Sequence, residues 1–321
     1  MAHKNYAAYP FVGIPTFLRA PMIGEDEDLS NKEIAIGVIG APFDEGCPYV
    51  PGSRLCARAV REQTLRFTDS GYYDQQRKRM YLGEELAKHR IYDFGDANII
   101  PTDVEGSFDR ITEGVKRILN QGALPIVLGG DHAISYPSIR AFDKFDGINV
   151  LHLDAHADFL PIEQGFENTN THPFRHVNDM KHVKSLTQVG YRSIRDISGL
   201  DSIEAGNRVV TMDEFWELGP RGIAELLPAG EPCYVSIDID VLDASLVPGC
   251  VSAEPDGMLY RELRDTLTAV AERVEVVGFD LVEVAPDLDV GTRITSYLAA
   301  QTIVEFLGKI CDQPYWKEKH K

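Results

Sequence analysis

Past an opening stretch punctuated by Pro10, Pro15, Pro21 and the acidic run from Glu25 to Asp28, short apolar runs alternate with longer amphipathic ones along the chain. The apolar runs are Ile34 to Ile39, Ile91 to Phe94, Leu124 to Leu128, Ile148 to Leu153, Ser185 to Gly190, Arg208 to Met212, Cys233 to Ile237 and Val274 to Phe279. Their length suits strands buried on both faces. Helical spacing fills the intervals at Leu55 to Phe67, Val104 to Gln121, Tyr136 to Phe145, Asp213 to Leu227, Leu259 to Arg273 and Thr292 to Leu307. In the last of these, Ile294, Leu298, Ile303, Phe306 and Leu307 recur at near-helical intervals, as a helix packed on a sheet requires. Such alternation predicts parallel βαβ units, hence an α/β fold with eight strands in one large sheet. No repeat or linker divides the chain. Residues 1–321 are expected to form a single domain, with an irregular N-terminal segment over 1–33.

Composition narrows the partners. A formal charge of −18 argues against a nucleic-acid partner, which needs concentrated Lys and Arg. An acidic field suits a small cation such as a guanidinium or amine, and it also serves plain solubility. No apolar run reaches the ~18 residues that span a bilayer, so no membrane partner is expected. The opening Met1-Ala2-His3-Lys4-Asn5-Tyr6 lacks the apolar core of a signal peptide, and the C-terminus carries no lipidation signal, which places the chain in the cytoplasm. The five cysteines, Cys47, Cys56, Cys233, Cys250 and Cys311, show no CxxC spacing and predict neither a disulfide framework nor a zinc knuckle.

Three segments carry metal-binding side chains at the ends of apolar runs. In Asp154-Ala155-His156-Ala157-Asp158 the ligand types alternate, which in an extended segment puts all three on one side. Gly129-Gly130-Asp131-His132 follows Leu128, and Asp238-Ile239-Asp240 follows Ile237. His132, Asp154, His156, Asp158, Asp238 and Asp240 together suit a pair of divalent ions better than a single Zn²⁺, with Asp154 and Asp238 as the bridges. A water held between two such ions loses its proton near neutral pH. Each residue alone has an ordinary structural role, a helix cap or a loop contact. Jointly, burying four clustered carboxylates without cations would cost on the order of several kcal/mol each. The ends of parallel strands, where all three segments fall, form the usual ligand crevice of α/β sheets.

These segments, in this order and spacing, resemble the three signatures of the ureohydrolases, the arginase and agmatinase family. The likeness extends to Gly40-Ala41-Pro42-Phe43-Asp44, Pro51-Gly52-Ser53-Arg54 and Asp280-Leu281-Val282-Glu283-Val284-Ala285-Pro286, and so covers nearly the whole chain. Phe11-Val12-Gly13-Ile14-Pro15-Thr16-Phe17 is similar to the N-terminal segment of agmatinase and guanidinobutyrase relatives. The resemblance implies a three-layer α/β/α fold around a mostly parallel sheet, and hydrolysis of a guanidino group to urea plus an amine. It also implies two Mn²⁺ per subunit, or Ni²⁺ as in guanidine hydrolases, and assembly into homotrimers or hexamers, with Phe11, Phe17 and Leu18 packing on a neighbour. By analogy Glu283 pairs with the guanidinium nitrogens, while Asp158 holds the nucleophile and shuttles its proton.

The pattern departs from the family where relatives carry His-Gly-x-Pro-Phe-Arg. This chain reads Asn170-Thr171-His172-Pro173-Phe174-Arg175, with Asn170 in place of the shuttling His and a histidine two positions on. Asn170 has no acid-base chemistry. His172 is then a candidate shuttle or substrate contact, or a residue that narrows the pocket, or a cap of the following helix. Val50-Pro51-Gly52-Ser53-Arg54-Leu55-Cys56-Ala57 and Pro248-Gly249-Cys250-Val251-Ser252-Ala253-Glu254 put larger residues where relatives have small ones. The expected substrate is therefore compact: guanidine, or a small substituted guanidine or biguanide. The alternatives are agmatinase or guanidinobutyrase activity, and a catalytically silent guanidino-binding subunit of a hetero-oligomer.

Overall fold

All eight apolar runs form strands of one sheet. The computed structural model describes residues 9–163 and 165–320, so the opening residues read for a signal segment lie outside them. In chain order the strands are β1 (Ile36–Gly40), β2 (Tyr72–Asp74), β3 (Arg79–Tyr81), β4 (Ile91–Asp96), β5 (Leu124–Leu128), β6 (Ile148–Leu153), β7 (Val183–Tyr191), β8 (Arg208–Thr211), β9 (Pro232–Asp238) and β10 (Glu275–Val282). The helices are α1 (Cys56–Thr64), α2 (Gly83–Ala87), α3 (Val104–Leu119), α4 (Ser135–Arg140), α5 (Pro173–Asn178), α6 (Ser198–Glu204), α7 (Met212–Glu225), α8 (Tyr260–Arg273), α9 (Ile294–Cys311) and α10 (Pro314–Lys319).

The sheet runs β4-β1-β5-β10-β9-β6-β7-β8, and every pairing in it is parallel. Alternate strand residues feed two cores. Val38, Leu128, Leu153, Ile237 and Leu281 meet α1, α7, α8 and α9 on one face, while Ile39, Val127, Val150 and Val282 meet α3, α4 and α5 on the other. This is the three-layer α/β/α arrangement. Side-chain caps start the helices where the pattern changes period: Asp103 accepts from the Gly106 amide at α3, and Thr211 from the Glu214 amide at α7.

The antiparallel hairpin β2-β3 and the short helices α2, α6 and α10 were not foreseen, each being too short to show a period, while α5 is the helix expected after His172. Within the N-terminal segment, residues 9–33 hold one 3-10 turn at Phe17–Arg19 and a single bridge from Met22 to Asp93. Phe17 and Leu18 do not reach for a neighbour. They are buried in this chain's own core, whereas Phe11 is exposed. Among the described residues no helix is long and apolar enough to cross a membrane.

The consequence for the site lies in strand order. β5, β10, β9 and β6 are adjacent in the sheet. Their carboxyl ends deliver His132, Glu283, Asp238 with Asp240, and Asp154 with His156 and Asp158 to one edge.

Candidate metal centre

The ligand segments are not extended. β6 ends at Leu153 and β9 at Asp238, and each chain then turns on its own aspartate. Asp154 Oδ1 accepts the His156 amide at 2.6 Å, Asp238 Oδ1 accepts the Asp240 amide at 2.8 Å, and Asp131 Oδ1 accepts the Ala133 amide at 3.0 Å. Asx turns, rather than strand alternation, therefore bring these side chains together. Asp158 completes the bend with a positive φ of 49°.

With one oxygen fixed to the backbone, the Oδ2 atoms of Asp154 and Asp238 face inward. His132 Nδ1 lies 2.9 Å from Asp154 Oδ2, 3.1 Å from Asp158 Oδ2 and 3.1 Å from Asp238 Oδ2. His156 Nδ1 lies 3.3 Å from Asp154 Oδ1 and 3.0 Å from Asp240 Oδ2. All six sequence-derived ligand candidates thus meet. Two groups emerge, His132 with Asp154, Asp158 and Asp238, and His156 with Asp154 and Asp240, sharing Asp154.

The ring of His132 is held in one tautomer. Its Nε2 lies 2.9 Å from Ser236 Oγ, which itself donates to Asp280 Oδ1 at 2.7 Å, so Ser236 accepts the Nε2 proton. Nδ1 then faces three carboxylates as a buried atom without a hydrogen-bond partner, and its lone pair is open to a cation once the proton those carboxylates favour is displaced. A lone pair aimed at anions fits a divalent cation between them, and the His–Ser–Asp relay is the support that metal-bound imidazoles need. Ser135 Oγ and Tyr234 OH fix the other oxygen of Asp280, each at 2.8 Å. His152 Nε2 sits 2.8 Å from Asp154 Oδ2, and the ring stacks on Phe174.

Electrostatics agree. Burial and then the charge of Asp154 push Asp158 up to about 8. Burial and the Asp240 and Asp154 charges push Asp238 well above the carboxylate range, and burial with Asp154 raises Asp240. Burial opposes protonation of His132 and His156, yet the carboxylates around them drive both well above the usual imidazole value. Burial also works against the charged form of Asp154, but the imidazoles of His152, His132 and His156 hold it well below the usual range. A set in which carboxylates compete for the few protons available is one short of positive charge.

Glu283, at the end of β10, has φ 65° and is buried. Its Oε1 accepts from the His132 amide at 2.9 Å and from Asn170 Nδ2 at 3.2 Å, and burial raises its carboxyl. Asn170 Oδ1 is buried without a partner. Glu283 and Asn170 line, with His156, Asp158, Asp238 and Asp240, a cleft of about 260 Å³ rimmed by Cys47, Tyr49 and Ile197. His172 does not line it. Its ring is buried under Phe166 with Nδ1 2.7 Å from Thr169 Oγ1, and it makes no side-chain cap on α5.

The two altered loops also part company. Asp44 accepts from the Gly52 and Arg54 amides and from Arg54 Nε, drawing residues 52–54 away while Cys47, Pro48 and Tyr49 face the cleft. Cys56 is core, and Arg54 lines a separate cavity. From the second loop, Ser252 lines the cleft and Cys250 lies beside Asp238 and Asp240. The cleft is therefore lined by Cys47, Pro48, Tyr49 and Ser252, and not by residues 50–57. Sequence reasoning missed the supporting shell of His152, Ser236 and Asp280. The available signal was a polar residue inside an apolar run, as Asp280 is between Phe279 and Leu281.

Comparison with known proteins agrees with this geometry. The profile described as "Arginase family" matches residues 34–308. Proclavaminate amidinohydrolase of Streptomyces clavuligerus is 35% identical over 305 residues, covering 92% of this chain and 93% of that protein. Its solved structure superimposes with a TM-score of 0.80 at 33% identity, covering 94% of this chain and 98% of that one. An agmatinase of Bacillus anthracis is 33% identical over 264 residues, 81% of this chain and 87% of the relative. A guanidinopropionase of Pseudomonas aeruginosa is 31% identical over 309 residues, 92% of each.

Proposed function

Because the chain belongs to the arginase family of metal-dependent C–N hydrolases, we propose that it hydrolyses a compact guanidino compound, guanidine or a small substituted guanidine or biguanide, to urea plus ammonia or an amine. The observation that carries this reading is the meeting of His132 Nδ1 with three buried carboxylates at the floor of a cleft that Glu283 also lines. His132, Asp154, Asp158 and Asp238 would hold one divalent cation. His156, Asp154, Asp238 and Asp240 would hold the other. When bound, the cations supply a nucleophilic water at neutral pH.

The protein's own part is orientation and proton handling. Guanidinium is a planar array of donors, and its carbon is a poor electrophile because the charge is spread over three nitrogens, so its approach must be fixed. Glu283 keeps Oε2 for the substrate while Oε1 is pinned by His132 and Asn170, and Asn170 Oδ1 adds a second unpaired acceptor. Asp158, at the cleft floor, holds the water and takes its proton. With Asn170 in the family's histidine position, the leaving nitrogen draws its proton from Asp158 rather than from His172, which is buried away from the cleft. Compactness is argued from Cys47, Pro48 and Tyr49, which line the cleft beside Asn170 and Glu283.

A second reading, agmatinase or guanidinobutyrase activity, is favoured by the 33% identity to an agmatinase. The test is urea and ammonia release from guanidine, agmatine, γ-guanidinobutyrate, arginine and a biguanide, with chelator-stripped protein reloaded separately with Mn²⁺ or Ni²⁺. Turnover of guanidine or a biguanide is expected. Agmatine or γ-guanidinobutyrate as the best substrate would replace the compact reading with the second one, and no urea from any of them with both positions filled would sink both.

A further inference from the structure

We propose that Cys250 is a further ligand of the second cation, which makes that position a mixed imidazole, carboxylate and thiolate site selective for a thiophilic divalent ion. The inference rests on the two-cation reading above. Cys250 Sγ and carboxylate oxygens of Asp238 and Asp240 lie within 4.8 Å of one another, all three residues being buried. A single ion with thiolate and carboxylate bonds of ~2.0–2.3 Å would draw these three atoms closer together.

The sulfur is held in place from both sides. The Cys250 amide donates to Val247 O at 3.0 Å, the Ala285 amide to Gly249 O at 2.7 Å, and Thr295 Oγ1 accepts the Gly249 amide at 2.8 Å. Cys250 also bridges to Val284, the neighbour of Glu283, so this loop is tied to the strand end that bears the proposed substrate carboxylate. Across the cluster His132 Nδ1, buried and without a hydrogen-bond partner, points at Asp238 Oδ2 from 3.1 Å. Asp238 thus sits between the His132 imidazole and the Cys250 sulfur, three potential ligands whose protons a cation would displace.

The remaining cysteines do not share this placement. Cys47 Sγ donates to Val50 O at 3.3 Å, and among the described residues Cys56, Cys233 and Cys311 share no cluster of three or more candidate metal ligands as Cys250 does. On metal binding the Cys250 S–H bond breaks, its proton leaves to solvent, and a sulfur–metal bond forms without redox change. A soft donor added to an otherwise hard set shifts preference away from Mn²⁺ toward Co²⁺, Ni²⁺ or Zn²⁺.

The test uses chelator-stripped full-length protein titrated with Co²⁺ and followed by absorption. A sulfur-to-cobalt charge-transfer band in the near ultraviolet is expected to grow in wild type and in Cys47→Ser, and to be missing from Cys250→Ser. In competition between Co²⁺ and Mn²⁺, Cys250→Ser is expected to lower the preference for Co²⁺ about tenfold or more. Two cobalt ions bound per wild-type chain with no such band would overturn the role of Cys250 while leaving the two-cation reading intact, and the wild-type spectrum decides this whether or not the variant folds. A band surviving in Cys250→Ser would also overturn it. Fewer than two cobalt ions bound to wild type would overturn both readings.

Discussion

At the scale of single residues, the site is organised by division of labour within carboxylates. Asp154 and Asp238 each give Oδ1 to an amide two positions on, and that bond orients Oδ2 toward His132. Glu283 repeats the device with Oε1, and it does so with a backbone φ of 65°, a conformation that a non-glycine residue keeps only where surrounding structure enforces it. The enforcement is visible: the Glu283 amide donates to Gly130 O, and a Cβ on Gly130 would come 1.7 Å from Phe43 O, so the three loops are in backbone contact. Glu283→Gln keeps the shape and removes the charge. It is expected to lower kcat/KM for the best guanidino substrate by about 10²–10³, the scale of losing one oriented electrostatic group, while two metal ions per chain remain bound. Steady-state kinetics with metal analysis on the same sample checks this. Retained turnover would remove Glu283 from the substrate's contacts.

At the scale of elements, the hairpin β2-β3 is fastened to α9 by Lys309, whose Nζ lies 3.0 Å from Asp74 Oδ2 and 3.8 Å from the Tyr81 ring centroid. The lysine side chain is 5% exposed, so its charge depends on this partner. Burial opposes ionisation of Asp74, but the Arg77 amide and Lys309 hold its carboxyl down at about 2. A folded-state value below the unfolded 3.8 means that the contribution is complete above pH 4 and is lost as pH falls from 3.8 toward 2. Asp74→Asn is therefore expected to destabilise the chain by about 2 kcal/mol near neutral pH, with the gap from wild type narrowing below pH 4. Urea denaturation midpoints across that range test it, and a gap independent of pH would mean that the charge of Asp74 is not what matters. This hairpin was not legible in the sequence, because three-residue strands carry no period and their partner helix is more than two hundred residues away. The large strands were legible for the opposite reason. A parallel sheet covered on both faces writes each strand as an unbroken apolar run, as in Leu124–Leu128. The ligands at the strand ends stood out against those runs, whereas the relay through Ser236 and Asp280 depends on contacts between distant segments, and the Asx turns, though local, share their two-residue spacing with an extended strand.

At the scale of the whole molecule, the centre and the fold depend on each other. β5, β10, β9 and β6 are the four central strands, and their ends bring Asp154, Asp158, Asp238, Asp240 and Glu283 into one buried region. Without cations these carboxylates repel one another in a medium that solvates them poorly, which opposes the strand register that the apolar cores favour. Binding to the folded chain alone stabilises it by mass action, about 4 kcal/mol per site at a thousandfold excess over Kd. Removing the metal is therefore expected to lower the melting temperature by about 5–10 °C, and reloading with Mn²⁺ or Ni²⁺ to restore it. The comparison that isolates the cause sets Asp238→Asn beside Glu283→Gln. Asp238 is assigned to both proposed cations and its loss should abolish the metal-dependent step, whereas Glu283 lines the cleft without being assigned to a cation and its variant should keep the step. Calorimetry on stripped and reloaded samples, with metal content measured, reads this directly. An unchanged melting temperature after verified metal removal would show that the buried carboxylates stand without cations, and with that the metal centre itself would be lost.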